Sequence, residues 1–89
     1  MVERSLKIQN RLGLHARAAA LFVQTASKYA SNITIEKEGV EVNGKSIMGI
    51  MMLAAAKGSD VVIRADGRDE KDAVDGMSRL IEDKFYEEV

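Results

Sequence analysis

The one histidine of this 89-residue chain, His15, lies within Gly13-Leu14-His15-Ala16-Arg17, where a loop gives way to an Ala-rich segment of helical spacing. A residue at or beside a helix N-cap stands next to backbone N–H groups without an intrahelical acceptor, here those of Ala16 and Arg17, and at the positive end of the helix dipole. Such an end attracts anions. The Arg17 guanidinium adds a planar fork that matches phosphate oxygens, and Gly13 lets the backbone bend close to the imidazole with no Cβ in the way. Neutral imidazole is a nucleophile whose phosphorylated form is labile, so a histidine beside phosphate donors suits reversible phosphoryl transfer. No acid stands nearby in sequence to act as a second catalytic group, which argues against a self-contained hydrolase. One histidine has no partner at ligand spacing either, so neither a metal nor any other cofactor is expected. The competing reading of the same spacing is a solvated polar residue at a helix start beside a solvated arginine.

Composition narrows the setting. At 46% hydrophobic and 30% charged, with no Cys, Trp or Pro, the chain has the makeup of one small domain spanning residues 1–89. Without cysteine there is no disulfide framework, no thiolate zinc site and no thiol redox chemistry. The net charge of −1 hides an asymmetry: residues 1–49 hold seven Lys or Arg against four acids, and residues 50–89 hold six against ten. Arg4, Lys7, Arg11, Arg17 and Lys28 fall in a stretch with no acid at all, and His15 lies in its middle. A local preference for anions follows, but not nucleic-acid binding, because aromatics make up only 4% and no basic run is interleaved with Phe or Tyr. The start MVERSLKIQ lacks the basic and apolar regions of a signal peptide, and no window approaches the roughly 20 apolar residues of a membrane span. A cytoplasmic protein without membrane insertion is expected.

The elements that must position His15 follow from periodicity. Val2, Leu6 and Ile8 share one face of a strand interrupted by Arg4. Ala19, Phe22, Val23 and Ala26 form the stripe of a helix over residues 16–29. Ile33 and Ile35, then Val40 and Val42, alternate around a Glu38-Gly39 turn and predict a hairpin. Ser46 caps a short helix that Lys57 and Gly58 end. Residues 60–66 (DVVIRAD) form the last strand, with Val61, Ile63 and Ala65 on one face. Asp69 can cap a third helix, whose stripe of Ala73, Val74, Met77, Leu80 and Ile81 runs to about Phe85. The order β-α-β-β-α-β-α predicts an α+β fold with one sheet covered on one face by helices.

LGLHARAAALFVQTASKY, VNGKSIMGIMMLAAAKG and DGRDEKDAVDGMSRLIE together resemble the histidine-containing phosphocarrier (HPr) family of the bacterial phosphotransferase system, over essentially the whole chain. The resemblance implies an open-faced β-sandwich of a four-stranded antiparallel sheet with three helices on one face. It also implies that His15 is phosphorylated on Nδ1 by phospho-enzyme I, which draws on phosphoenolpyruvate, and passes the group to EIIA-type domains for sugar uptake or regulation. Arg17 would steady the phosphoryl oxygens, and the chain would be a carrier, acting as a monomer, rather than an enzyme. Ala18 stands where the family usually has Pro, leaving the helix start less rigidly fixed, and Leu12 replaces a small polar residue. Ala18 also matches relatives in nitrogen-linked phosphorelays, so the alternative is a regulatory interaction module of a nitrogen-type or catabolite-control phosphorelay.

Lys45-Ser46-Ile47-Met48-Gly49 matches the motif whose serine is phosphorylated by an HPr kinase/phosphorylase in several relatives, a modification that would bear on a transcriptional regulator and other partners. As an N-cap alone, Ser46 already has a structural role typically worth about 1 kcal/mol. The short helix has more apolar residues than one buried face needs: Ile50, Leu53 and Ala54 form one stripe, Ile47, Met48 and Met51 another. Met52 is expected to fill a core gap. The second stripe is expected to be a docking patch, because Met side chains repack against different partners. Leu14, Ala20 and Leu21 would extend it around His15, with Arg17 and Lys28 supplying charge.

Overall fold

Alternation places Val61, Ile63 and Ala65 on one side of strand β4 (Asp60–Asp66), and the computed structural model, which describes residues 1–87, builds its sheet around that strand. Strand β1 (Val2–Lys7) pairs with one edge of β4, Leu6 opposite Val61, and β2 (Asn32–Lys37) with the other, Ile35 opposite Ile63. The hairpin partner β3 (Val40–Asn43) closes the antiparallel order β1-β4-β2-β3. Helices α1 (Ala16–Ala26), α2 (Ile47–Met52) and α3 (Glu70–Glu82) cover one face. Between them and the sheet lie Ile8, Phe22, Ile33, Ile35, Ile50, Ile63, Met77 and Ile81, all within 1% of complete burial. Each such side chain stabilises the fold by roughly 1.5–3 kcal/mol over an exposed position.

Arg4, which interrupts the β1 stripe, is accommodated because it reaches α3: one terminal nitrogen donates to Ser78 Oγ (3.1 Å) and the other pairs with Asp75 (2.8 Å). On the uncovered face, Arg64 donates to Glu36, Glu3 and Glu41. These three carboxylates hold its guanidinium above the usual arginine range, and Thr34 and Arg64 hold the Glu41 carboxyl below its own. A network of charges thus covers the side of the sheet that no helix shields.

Three helix ends differ from the periodicity. Helix α1 stops at Ala26 rather than Tyr29, because the backbone beyond it is claimed elsewhere: the Tyr29 carbonyl accepts from Lys45 Nζ (2.9 Å), and the N–H groups of Ala30 and Ser31 donate to the Asp69 carboxylate (2.8 and 2.9 Å). Asp69 therefore does not cap α3 with its side chain; it binds the α1–β2 turn, and the Ser31 hydroxyl followed by the Ala30 N–H holds its carboxyl below the ordinary value. Helix α2 ends at Met52, not near Ala56. Ala54 at φ +49° reverses the chain, so Ala54 is exposed and Ala55 is the buried residue. Lys37 Nζ donates to the freed carbonyls of Leu53 and Ala54 (3.3 and 3.4 Å). Met52, expected in a core gap, is 79% exposed, since the shortened helix turns only Ile50 fully inward.

Helix α3 ends at Glu82, and Lys84–Tyr86 form a separate turn with all three residues at positive φ (56°, 54° and 57°). Left-handed backbone costs on the order of 1–2 kcal/mol for each non-glycine residue. Offsetting it, Phe85 is buried to 2% exposure, and the carboxylate of Glu87 is delivered to the loop before α1.

Candidate functional site

His15 is the N-cap of α1, with extended backbone (φ −73°, ψ 178°), its carbonyl accepting the first helical N–H from Ala19 (2.8 Å). Its side chain makes no capping bond and stays 30% exposed. Ala16 and Arg17 follow as exposed residues, and among the described residues neither backbone N–H meets a protein acceptor and the Arg17 guanidinium makes no hydrogen bond or ion pair. An exposed imidazole and two backbone donors without a protein acceptor therefore stand at the start of α1, with the exposed Arg17 side chain on the same first turn.

The loop that delivers His15 is clamped from three sides. Gly13 occupies the left-handed region (φ +65°), and a Cβ there would stand 2.5 Å from the Ala55 carbonyl oxygen and 2.9 Å from Ala56 Cα. Only glycine permits that approach, which lets the Leu14 N–H donate to Ala55 O (2.8 Å). The buried Asn10 amide donates to Gly13 O (2.7 Å) and to Glu87 Oε2 (3.2 Å). Glu87 also accepts the backbone N–H groups of Arg11 (2.8 Å) and Leu12 (3.3 Å), while its Oε2 lies 3.9 Å from His15 Nε2.

Glu87 is the site residue that sequence reasoning missed. The acid-free neighbourhood of His15 is acid-free only along the chain, and the left-handed turn that brings Glu87 back has no local signature. Burial opposes ionisation of Glu87, but the Asn10 amide and the Leu12 and Arg11 N–H groups outweigh it and hold its carboxyl below the ordinary value of 4.5. Because the folded value is lower than the unfolded one, this clasp contributes fully above about pH 4.5 and is lost as pH falls through the depressed value. The Arg11 and Leu12 amide resonances are expected to titrate in NMR with a midpoint below 4.5. A midpoint at or above that value would mean that Glu87 does not hold the loop.

The expected docking residues divide. Ile47, Met48 and Met51 are 43%, 74% and 44% exposed, and Ala20 and Leu21 are half-buried. Leu14, expected on that surface, is buried to 5%: its N–H is fixed on Ala55 and its side chain joins the core, so it positions His15 and presents no surface. Helix α2 packs against α1, and the segment after α2 holds Gly13 and Leu14, so the exposed stripe adjoins the His15 end of α1. Ser46, the N-cap of α2, accepts the Gly49 N–H on Oγ (3.1 Å) at the far end of that helix, roughly 9 Å of rise away. Among the described residues no cluster of His, Cys, Asp and Glu could hold a metal ion, and no helix is long and apolar enough to cross a membrane.

Comparison with known proteins agrees with this fold. Residues 2–83 match a family model described as the PTS HPr component phosphorylation site. The chain is 51% identical over 88 residues to the phosphocarrier protein HPr of Xylella fastidiosa, with 99% of each chain covered. It is 49% identical over 87 residues to that of Neisseria meningitidis, with 98% of each covered. Among solved structures, HPr-C-His from Thermoanaerobacter tengcongensis superposes with a TM-score of 0.96 at 53% identity, over 100% of both chains.

Proposed function

The chain belongs to the HPr family, the non-catalytic phosphohistidine carriers of the phosphotransferase system, and on that footing we propose that His15 is the residue that carries the phosphoryl group. Family membership implies enzyme I and EIIA-type domains as partners. In the first transfer a lone pair of the His15 imidazole attacks the phosphorus held by phospho-enzyme I, and the bond to enzyme I breaks as the new N–P bond forms. In the second, an EIIA nucleophile displaces His15 in the same way. With Nε2 turned toward Glu87, Nδ1 is the nitrogen left for the electrophile. The transferring oxygens then meet the Ala16 and Arg17 N–H groups and the Arg17 guanidinium, which stabilise charge without reorganising. The observation that carries this reading is the exposed His15 N-cap beside donors with no protein acceptor. We place this carrier in the cytoplasm as a single domain.

Incubation with enzyme I and phosphoenolpyruvate is expected to give one acid-labile, base-stable phosphate on the wild type and none on His15→Ala. A phosphate that persists in His15→Ala would refute the assignment.

We also infer that Ser46 is a regulatory phosphorylation site of an HPr kinase/phosphorylase. Its hydroxyl already accepts the Gly49 N–H in the first turn of α2, so a phosphate there is compatible with the folded helix. The added charge of about −2 would lie beside the Ile47, Met48 and Met51 stripe and act on partner docking rather than on His15. Ser46→Asp is expected to raise the KM for enzyme I by about tenfold while leaving the unfolding midpoint nearly unchanged. An unchanged KM would remove Ser46 from the docking surface. Capture of a transcriptional regulator by the phosphorylated form, and not by Ser46→Ala, would extend the role to gene control.

A further inference from the structure

Three of the five methionines of this chain fall within one short helix, Met48, Met51 and Met52 of α2, and all three are exposed, at 74%, 44% and 79%. Met77, by contrast, is fully buried at 0%. The chain has no cysteine and no tryptophan, so thioethers are the most readily oxidised groups it offers to a two-electron oxidant. Among the described residues α2 turns only Ile50 completely inward, and none of these three side chains belongs to the buried core.

We propose that Met48, Met51 and Met52 form an oxidation-sensitive site through which hydroperoxides weaken the docking of enzyme I. The inference rests on the reading of the α2 stripe as a docking surface. In the step itself a sulfur lone pair attacks the distal oxygen of hydrogen peroxide. The O–O bond breaks, one oxygen remains on sulfur as the sulfoxide, and the other leaves as water after proton transfer. Sulfur is oxidised by two electrons and the peroxide is reduced by two. A flexible apolar side chain becomes a polar one whose oxygen demands a hydrogen bond that an apolar partner surface does not offer. Methionine sulfoxide reductases reverse the change with thiol reductant, so the modification is a switch rather than only damage.

The test treats the folded full-length chain with hydrogen peroxide and follows two readouts. Mass spectrometry is expected to find up to three added oxygens on the tryptic peptide spanning residues 46–57, and none on the peptide carrying Met77. The KM for enzyme I in phosphoryl acceptance is expected to rise about tenfold, with the thermal midpoint unchanged and both sulfoxide reductases restoring the original value. In the triple variant Met48→Leu, Met51→Leu, Met52→Leu, the ratio of treated to untreated KM is expected to be one, whatever the variant's own starting value. A modified peptide with unchanged KM, a peptide that resists peroxide, or a rise that persists in the triple variant and so traces to the exposed Met1 would each overturn the proposal. Failure of the untreated protein to accept phosphate from enzyme I would instead refute the carrier assignment, and the two failures are thereby distinguishable.

Discussion

Gly13→Ala is expected to slow phosphoryl acceptance from enzyme I by about a hundredfold, although residue 13 carries no reacting group. The backbone at φ +65° costs an alanine on the order of 1–2 kcal/mol, and the new Cβ would meet two backbone atoms of the 55–56 segment, at 2.5 and 2.9 Å. Neither atom belongs to a flexible side chain, so relief requires the two segments to separate. The Ala55 oxygen it strikes is also the acceptor of the Leu14 N–H, so separation breaks the bond that seats Leu14 in the core and holds His15 at the start of α1. A displacement of about 1 Å at a reacting nitrogen is enough for a loss of this size. Gly39→Ala provides the control. Residue 39 has φ +82° in the β2–β3 turn, and nothing, the His15 loop included, lies within 4 Å of its Cβ position. That variant is expected to lose about 1–2 kcal/mol in urea unfolding and to transfer phosphate at the wild-type rate. Equal transfer rates for the two variants would show that loop placement does not govern the reaction.

Arg17→Gln is expected to lower the rates of both acceptance and donation by about two orders of magnitude, the effect typical of removing one donor from a preorganised anion site. Arg17→Lys keeps the charge and is expected to recover only part of the loss, since an ammonium is a point charge and cannot present two parallel N–H donors to phosphoryl oxygens. Stability provides the second readout. Arg17 is exposed and makes no hydrogen bond or ion pair among the described residues, so both variants should unfold within about 0.5 kcal/mol of the wild type. A large loss of stability, or rates unchanged in Arg17→Gln, would assign the guanidinium a structural role or none. Because the same oxygens are held in both transfers, a defect confined to one direction would place Arg17 in partner contact instead.

Several parts of this molecule were legible from residue order alone. The alternation of Val61, Ile63 and Ala65 locates β4 to the residue, and the paired alternations around Glu38-Gly39 locate the hairpin. Ser46 caps α2 as its position before an apolar run requires. His15 falls on the N-cap of α1 because the helical stripe begins just after it. The clustering of bases in the first half and of acids in the second was equally plain, and the misleading inference drawn from it concerned distance in space, since Glu87 of the acidic half is folded back onto the loop beside His15.

Local order fixes which residues face one way along a strand or helix, and it singled out the imidazole proposed to react, its neighbouring cation and the element that displays them. Helix lengths and site closure were decided by groups distant in the chain. Helix α1 ends where Lys45 and Asp69 take its trailing backbone, α2 where Ala54 turns and Lys37 takes the freed carbonyls, and α3 where burying Phe85 requires a reversal. Leu14 became a core residue through the Ala55 carbonyl, and the His15 loop acquired its carboxylate clasp through Glu87. The physical reason is common to all of these. A terminal N–H or C=O must find some partner, periodicity shows that it is unpaired, and only the packed chain brings the partner within 3 Å or so.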